Sequence, residues 1–122
     1  MQAIGPKMHP KLIELAHAVS ERVLALDCAR LIAPEGPIPL RHVTHARFSE
    51  IGVAFLAEVA PTTVIVPLFS GQHDALAMVE ALQAMGFAGT ILVIAPPLPR
   101  PELVERELRA AGPGSRLMLV SP

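Results

Sequence analysis

The side chains able to do chemistry in this sequence lie in its connecting stretches, and the densest group is RHVTHAR, residues 41–47. There Arg41, His42, His45 and Arg47 set imidazoles beside guanidiniums, a combination suited to holding an anion or a carboxylate. The i, i+3 spacing at a strand-to-loop junction gives His42 and His45 no assured common face, so the plainer reading is a polar loop after an edge strand. The same histidines with Asp27 or Asp74 would add up to a metal-ligand set, but no HExxH-type helical pair occurs. No metal and no cofactor is expected.

Ser70, His73 and Asp74 have the residue types of a hydrolytic triad. Neighbours this close in sequence seldom let an acid orient a base while the base points at the nucleophile, and GxSxG is absent. Asp74 as a helix cap and Ser70-Gly71 as turn chemistry account for the same residues, so no catalytic residue is assigned. Gly71 ahead of a helix falls short of a phosphate loop, because neither GxGxxG nor GxxxxGK[ST] is present; a helix N-terminus near Gln72 could still hold an anion. APPLPRP (95–101), which includes Arg100, has the composition of a PxxP ligand and reads as a rigid connector offering a contact surface.

The single cysteine, Cys28, excludes an internal disulfide and a cysteine-based zinc site, and reads as a small buried side chain. Ten basic and eleven acidic residues are dispersed along the chain for a net charge of −1, which leaves no basic tract to neutralise a nucleic-acid backbone. Four Phe without Trp or Tyr also leave little for stacking bases or sugars. The longest apolar stretches, 63–69 and 91–99, are too short to span a bilayer, and MQAIGPKMHPK lacks the layout of a secretory leader. The expected location is cytoplasmic, with neither nucleic acid nor membrane as partner.

These residues are positioned by alternating elements. With 122 residues the chain fits one domain around one core. Leu12, Ile13, Ala16 and Val19 follow helical spacing from Pro10, a residue suited to a first helical position. RVLALD then reads as a strand ending at Asp27, with continuation of the helix to Ala33 as the alternative. IPLRHV (38–43) is predicted as a short edge strand entered through Pro39. Phe48, Ile51, Ala54, Phe55 and Val59 predict a helix with Ser49 as a possible cap. TTVIVPLF (62–69) and TILVIA (90–95) are apolar on both faces, as buried parallel strands are. Between them lies a helix capped by Asp74 and closed at Gly86, with Leu76, Met78, Val79, Leu82 and Met85 inward. PRPELVERELRAAG (99–112) predicts a helix with Pro101 in its first turn and Gly112 beyond its end, carrying the solvated charges Glu102, Glu105, Arg106, Glu107 and Arg109, and RLMLV is the last strand.

This alternation predicts right-handed crossovers and a flavodoxin-like, three-layer α/β domain with a mainly parallel sheet of four or five strands. Ligands of such sheets bind at the carboxyl ends of the strands, here 27–30, 43–47, 67–74, 95–100 and 121–122.

The stretch 61–95, PTTVIVPLFSGQHDALAMVEALQAMGFAGTILVIA, resembles, without a gap, the middle of a two-component response-regulator receiver domain. In that family the strand ends in a phosphoacceptor Asp, a loop with Pro, Gly and Asp follows, and a helix leads to a strand ending in Thr or Ser. In this register Pro67 stands at the phosphoacceptor position, Asp74 matches the loop Asp, and Ala95 takes the Thr or Ser place. The terminal LVSP is similar to the family's strand that ends in Lys-Pro, with Ser121 for Lys and Pro122 for Pro. Of the phosphorylation set, only Asp27 matches, as an acidic residue after the first strand. Proline offers no nucleophile, so an acyl phosphate cannot form at that position, and Asp27 alone is a poor site for Mg²⁺. Receivers end with a helix after the last strand, where this sequence ends at Pro122. The resemblance therefore implies that the helix from Pro10, or a second copy of the chain, covers that sheet face.

The leading expectation is a non-enzymatic, receiver-like interaction domain that cannot be phosphorylated at the usual site and that partners another protein or itself as a homodimer. The competing expectation is a small-molecule or anion-binding module, conceivably enzymatic, using Asp27, Arg41, His42, His45, Ser70, His73 and Arg100 at the strand ends.

Overall fold

Four largely apolar segments and the mixed segment VTHA become the strands of one sheet. The computed structural model describes residues 9–17, 21–70 and 73–121. The readings that fall on Val19, Gly71, Gln72 and Pro122 lie outside the described residues. In chain order the elements are α1 (Pro10–His17), β1 (Val23–Leu26), β2 (Val43–Ala46), a 3₁₀ turn (Phe48–Glu50) and α2 (Val53–Val59). These are followed by β3 (Thr63–Pro67), the short strands β4 (Phe69–Ser70) and β5 (His73–Asp74), and α3 (Ala75–Ala84). β6 (Thr90–Ile94), α4 (Pro101–Ala111) and β7 (Arg116–Val120) complete the described chain. The five long strands pair in the order β2-β1-β3-β6-β7, all parallel, which is the flavodoxin-like order, while β4 and β5 form a separate antiparallel pair.

Alternation along the strands divides the core into two layers. Leu24, Leu26, Val64, Val66, Ile91, Val93 and Leu117 point to the side covered by α2, α3 and α4. Val23, Ala25, Ile65, Leu92, Ile94 and Val120 point to the other side, where Leu12 and Leu15 of α1 and Ile32, Ile38 and Leu40 of the β1–β2 connection cover them. α1 is thus the cover for the sheet face beside β7, and the backbone N–H of His9 donates to the carbonyl of Ser121 at 3.3 Å. RVLALD forms a strand, because its four apolar residues Val23–Leu26 are buried at every position between β2 and β3.

The β1–β2 connection contains Pro34, Gly36, Pro37 and Pro39, which deny it the N–H groups and backbone preference of a helix. It folds instead on its own backbone: Ile32 N–H donates to Cys28 O (2.8 Å), Ile38 N–H to Leu31 O (2.9 Å), and Ile32 and Ile38 form an isolated bridge. This displaces the edge strand from the predicted 38–43 to Val43–Ala46, which pairs residue by residue with Val23–Leu26. Arg41 and His42 consequently precede the strand rather than end it.

Three further boundaries shift for local reasons. Ser49 does not cap a helix; residues 48–50 form the 3₁₀ turn, Glu50 accepts from Arg47 N–H at 2.8 Å, and α2 starts at Val53 after Gly52. β3 stops at Pro67, and Phe69 is 76 % exposed on β4 rather than buried in the sheet. Asp74 does cap α3, accepting from Ala77 N–H at 2.9 Å, and Gly86 closes that helix region at φ 84, a backbone angle that glycine adopts without penalty.

Charges on α4 do more than face solvent. Glu105 pairs with Arg109 at 2.9 Å, as the solvated-face reading expects. The same two side chains also reach β7: Glu105 accepts from Leu119 N–H at 2.9 Å and Arg109 Nε donates to Leu117 O at 3.0 Å. Polar groups of an edge strand are thereby occupied from within the fold.

Candidate functional site

In the order β2-β1-β3-β6-β7 the chain winds one way from β1 to β2 and the other way from β1 to β3, which opens a crevice at their carboxyl ends. Asp27, the residue that follows β1, sits there at φ 55. A non-glycine residue in this left-handed region is uncommon, and Asp is among the side chains that tolerate it. Its backbone N–H donates to Ala46 O at 3.0 Å, and its carboxylate accepts from Phe48 N–H on Oδ1 (3.3 Å) and from the Ser70 hydroxyl on Oδ2 (2.8 Å). One carboxylate therefore joins the ends of β1, β2 and β3.

Around it lies an open cleft of about 610 Å³, within the range typical of small-molecule sites. Its polar wall is made by Asp27, Arg30, His45, Arg47, Glu50 and Ser70, and Ala29, Leu31 and Ala46 supply apolar surface. Arg30 comes from the loop after β1 and Arg47 from the end of β2. Among the described residues the ion pairs are Lys11–Glu14 and Glu105–Arg109, so neither Arg30 nor Arg47 forms an ion pair there, while the Asp27 and Glu50 carboxylates line the same cleft.

Cys28 forms part of the same wall, but its chemistry is quiet. Burial first, and the neighbouring Asp27 charge second, push its thiol from an ordinary 9.0 up to about 12. Its S–H donates to Leu26 O, 3.1 Å from the sulfur, so it stays a protonated thiol and not a nucleophile.

Of the residues singled out from sequence, the structure brings Asp27, His45 and Ser70 into this cleft. His73 lies next to it on β5, its ring edge-on to Phe48 with centroids 4.8 Å apart, which pins the β4–β5 hairpin against the 3₁₀ turn. Arg41 and His42 are excluded from the site. They precede Val43, which pairs with Val23 at the start of β1, so they lie at the opposite, amino end of the sheet. Arg100 is the exposed residue ahead of α4 and lines no part of the cleft. The triad geometry is absent as well, since Ser70 donates to Asp27 and Asp74 is engaged as the α3 cap.

Two of the positions aligned with receiver chemistry, Pro67 and Ala95, are buried and carry no carboxylate or hydroxyl. No group of three His, Cys, Asp or Glu among the described residues is placed to hold a metal ion. No helix among the described residues is long and apolar enough to cross a membrane.

Sequence reasoning missed Arg30 and Glu50 as site residues and left Arg47 inside a motif. The available signal was positional, since Arg30 and Arg47 both fall in the strand-end stretches 27–30 and 43–47. Comparison with protein-family models, curated proteins and solved structures finds no match to this chain.

Proposed function

We propose that the domain is a binding module for a small anionic ligand, held in the cleft where β1, β2 and β3 end. The observation that carries this reading is that two arginines, Arg30 and Arg47, line one cleft from separate loops, neither in an ion pair with a carboxylate among the described residues. Guanidinium forks bind carboxylate and phosphate oxygens through paired, charge-assisted hydrogen bonds. The location supports the same reading, because ligands of open parallel sheets bind at this topological switch point.

Thermal melts in rising inorganic phosphate and sulfate test it. The expected result is a saturable rise in Tm, following mass action, that is lost in an R30A/R47A double variant. An identical response in that variant, or none in the wild type, would overturn the reading.

A receiver-like contact module is the second reading, and one observation favours it. Phe69 is 76 % exposed at the rim of a mainly apolar groove between α3 and α4, which it lines with Leu68, Leu76, Leu98, Leu103 and Val104, and with Asp74 and Glu107 among the rest. A knob next to a groove on one face can insert reciprocally in a twofold pair of copies. Light scattering decides the twofold pair: a dimer abolished by F69D supports it, and a strictly monomeric wild type removes it.

A further inference from the structure

We propose that the ligand of the switch-point cleft is a phosphorylated polyol, in chemical class a sugar phosphate; this rests on the anion-binding reading above. The number of guanidiniums bears first on the anion. A carboxylate presents two oxygens and one charge, which a single arginine fork satisfies. A phosphate monoester presents three terminal oxygens and close to two negative charges, and it matches Arg30 and Arg47 together.

Asp27, Glu50 and Ser70 in the lining call for neutral donors. Asp27 already accepts from Phe48 N–H and the Ser70 hydroxyl, and Glu50 accepts from Arg47 N–H. An ionised carboxylate has about four lone-pair sites, so both retain acceptor capacity. Ser70 has committed its proton to Asp27 and keeps oxygen lone pairs. Hydroxyl groups fill such acceptors without bringing further negative charge beside Asp27 and Glu50. A second anionic group would be repelled there.

Size and wall composition set the rest. A volume of about 610 Å³ is many times that of an inorganic phosphate and leaves room for a polyol body against Ala29, Leu31 and Ala46. No Phe lines the cleft among the described residues, so a nucleobase or flavin ring would have only the His45 imidazole and the arginine planes to stack on.

Titration calorimetry on the full chain tests the assignment with inorganic phosphate, ribose 5-phosphate, glucose 6-phosphate, unphosphorylated ribose and flavin mononucleotide. At least one sugar phosphate is expected to bind about tenfold or more tightly than inorganic phosphate, with no detectable heat from ribose. In D27N the advantage of the sugar phosphate over phosphate should shrink to under about threefold, while phosphate itself binds as well or better. Asn tolerates the left-handed backbone at that position, and a thermal melt confirms that the variant folds. S70A provides a second variant and should shrink the same advantage. Equal affinity of both sugar phosphates and inorganic phosphate overturns the polyol assignment while the anion reading stands. Tighter binding of flavin mononucleotide than of either sugar phosphate overturns it in favour of a ring-bearing ligand. Absence of heat with every phosphate-bearing probe removes both readings.

Discussion

The Ser70 hydroxyl donates a 2.8 Å hydrogen bond to the Asp27 carboxylate, joining residues 43 positions apart in the chain. The bond spans the gap between the loops that follow β1 and β3, and the other Asp27 oxygen holds Phe48 N–H after β2. A single side chain thus fixes the mutual placement of the three loops around the cleft, at a backbone angle that few residues accept.

Removal of this tie has a graded outcome. S70A should lose about 1 kcal/mol, the net value of a typical intramolecular hydrogen bond. D27A should lose more than D27N, because Ala forfeits both accepted bonds and suits the left-handed angle less well than Asn. Urea unfolding of the three variants checks the order, and equal loss in D27A and D27N would contradict it.

The pairing of Glu105 with Leu119 N–H makes α4 a guard for the β7 edge. E105A should cost about 1 kcal/mol and raise hydrogen exchange at the Leu119 amide, while E105Q, which keeps an acceptor oxygen, should preserve much of the protection. The Glu105–Arg109 ion pair adds little by itself, since exposed pairs of this kind are worth about 0.3–0.5 kcal/mol. Unchanged exchange at Leu119 in E105A would show that the edge is protected by other means.

Cys28 couples stability to high pH. Its folded-state value, raised from 9.0 to about 12, means that the folded protein holds the thiol proton more tightly than the unfolded chain does. The stabilisation is complete below pH 9.0 and is lost as pH rises through about 12. C28A should flatten the decline in stability above pH 9.0, apart from a constant packing loss. In the wild type at pH 8 a thiol reagent should label Cys28 only at the rate of unfolding; rapid labelling of the folded protein would refute the protonated, enclosed thiol.

α1 is a structural cover, and Leu12 is its anchor. The side chain is fully buried against the sheet face that contains Ile94 and Val120. L12A should cost about 2–4 kcal/mol, as buried leucine truncations do, whereas E14A on the exposed side of α1 should fall within about 0.5 kcal/mol. A neutral L12A would mean that α1 contributes little to the cover.

Much of the architecture was legible in the residues themselves. The β-branched runs that became β3 and β6 are apolar on both faces, and only a central parallel strand buries both. Asp74 and Gly86 marked the ends of α3 through local backbone chemistry that needs no tertiary partner. Pro101 and Gly112 did the same for α4. Locally encoded features of this kind carry over directly from sequence to fold.

The errors occurred where distant partners decide. Whether 38–43 or 43–46 pairs with β1 depends on register with Val23–Leu26, and the neighbouring prolines settle it only once the β1–β2 connection has folded back on itself. That shift of a few residues sends Arg41 and His42 to the amino end of the sheet and leaves His45 and Arg47 at the cleft.

By itself the sequence determined an α/β chain of alternating strands and helices, a β3 end without a nucleophile, and the strand-end stretches in which a site could lie, because patterning, caps and residue chemistry act locally. Only the tertiary structure decided which of those stretches meet. Asp27, Arg30, Arg47 and Ser70 share one cleft because β1, β2 and β3 are neighbours in the sheet, and strand order is set by packing across the whole core rather than by any single segment.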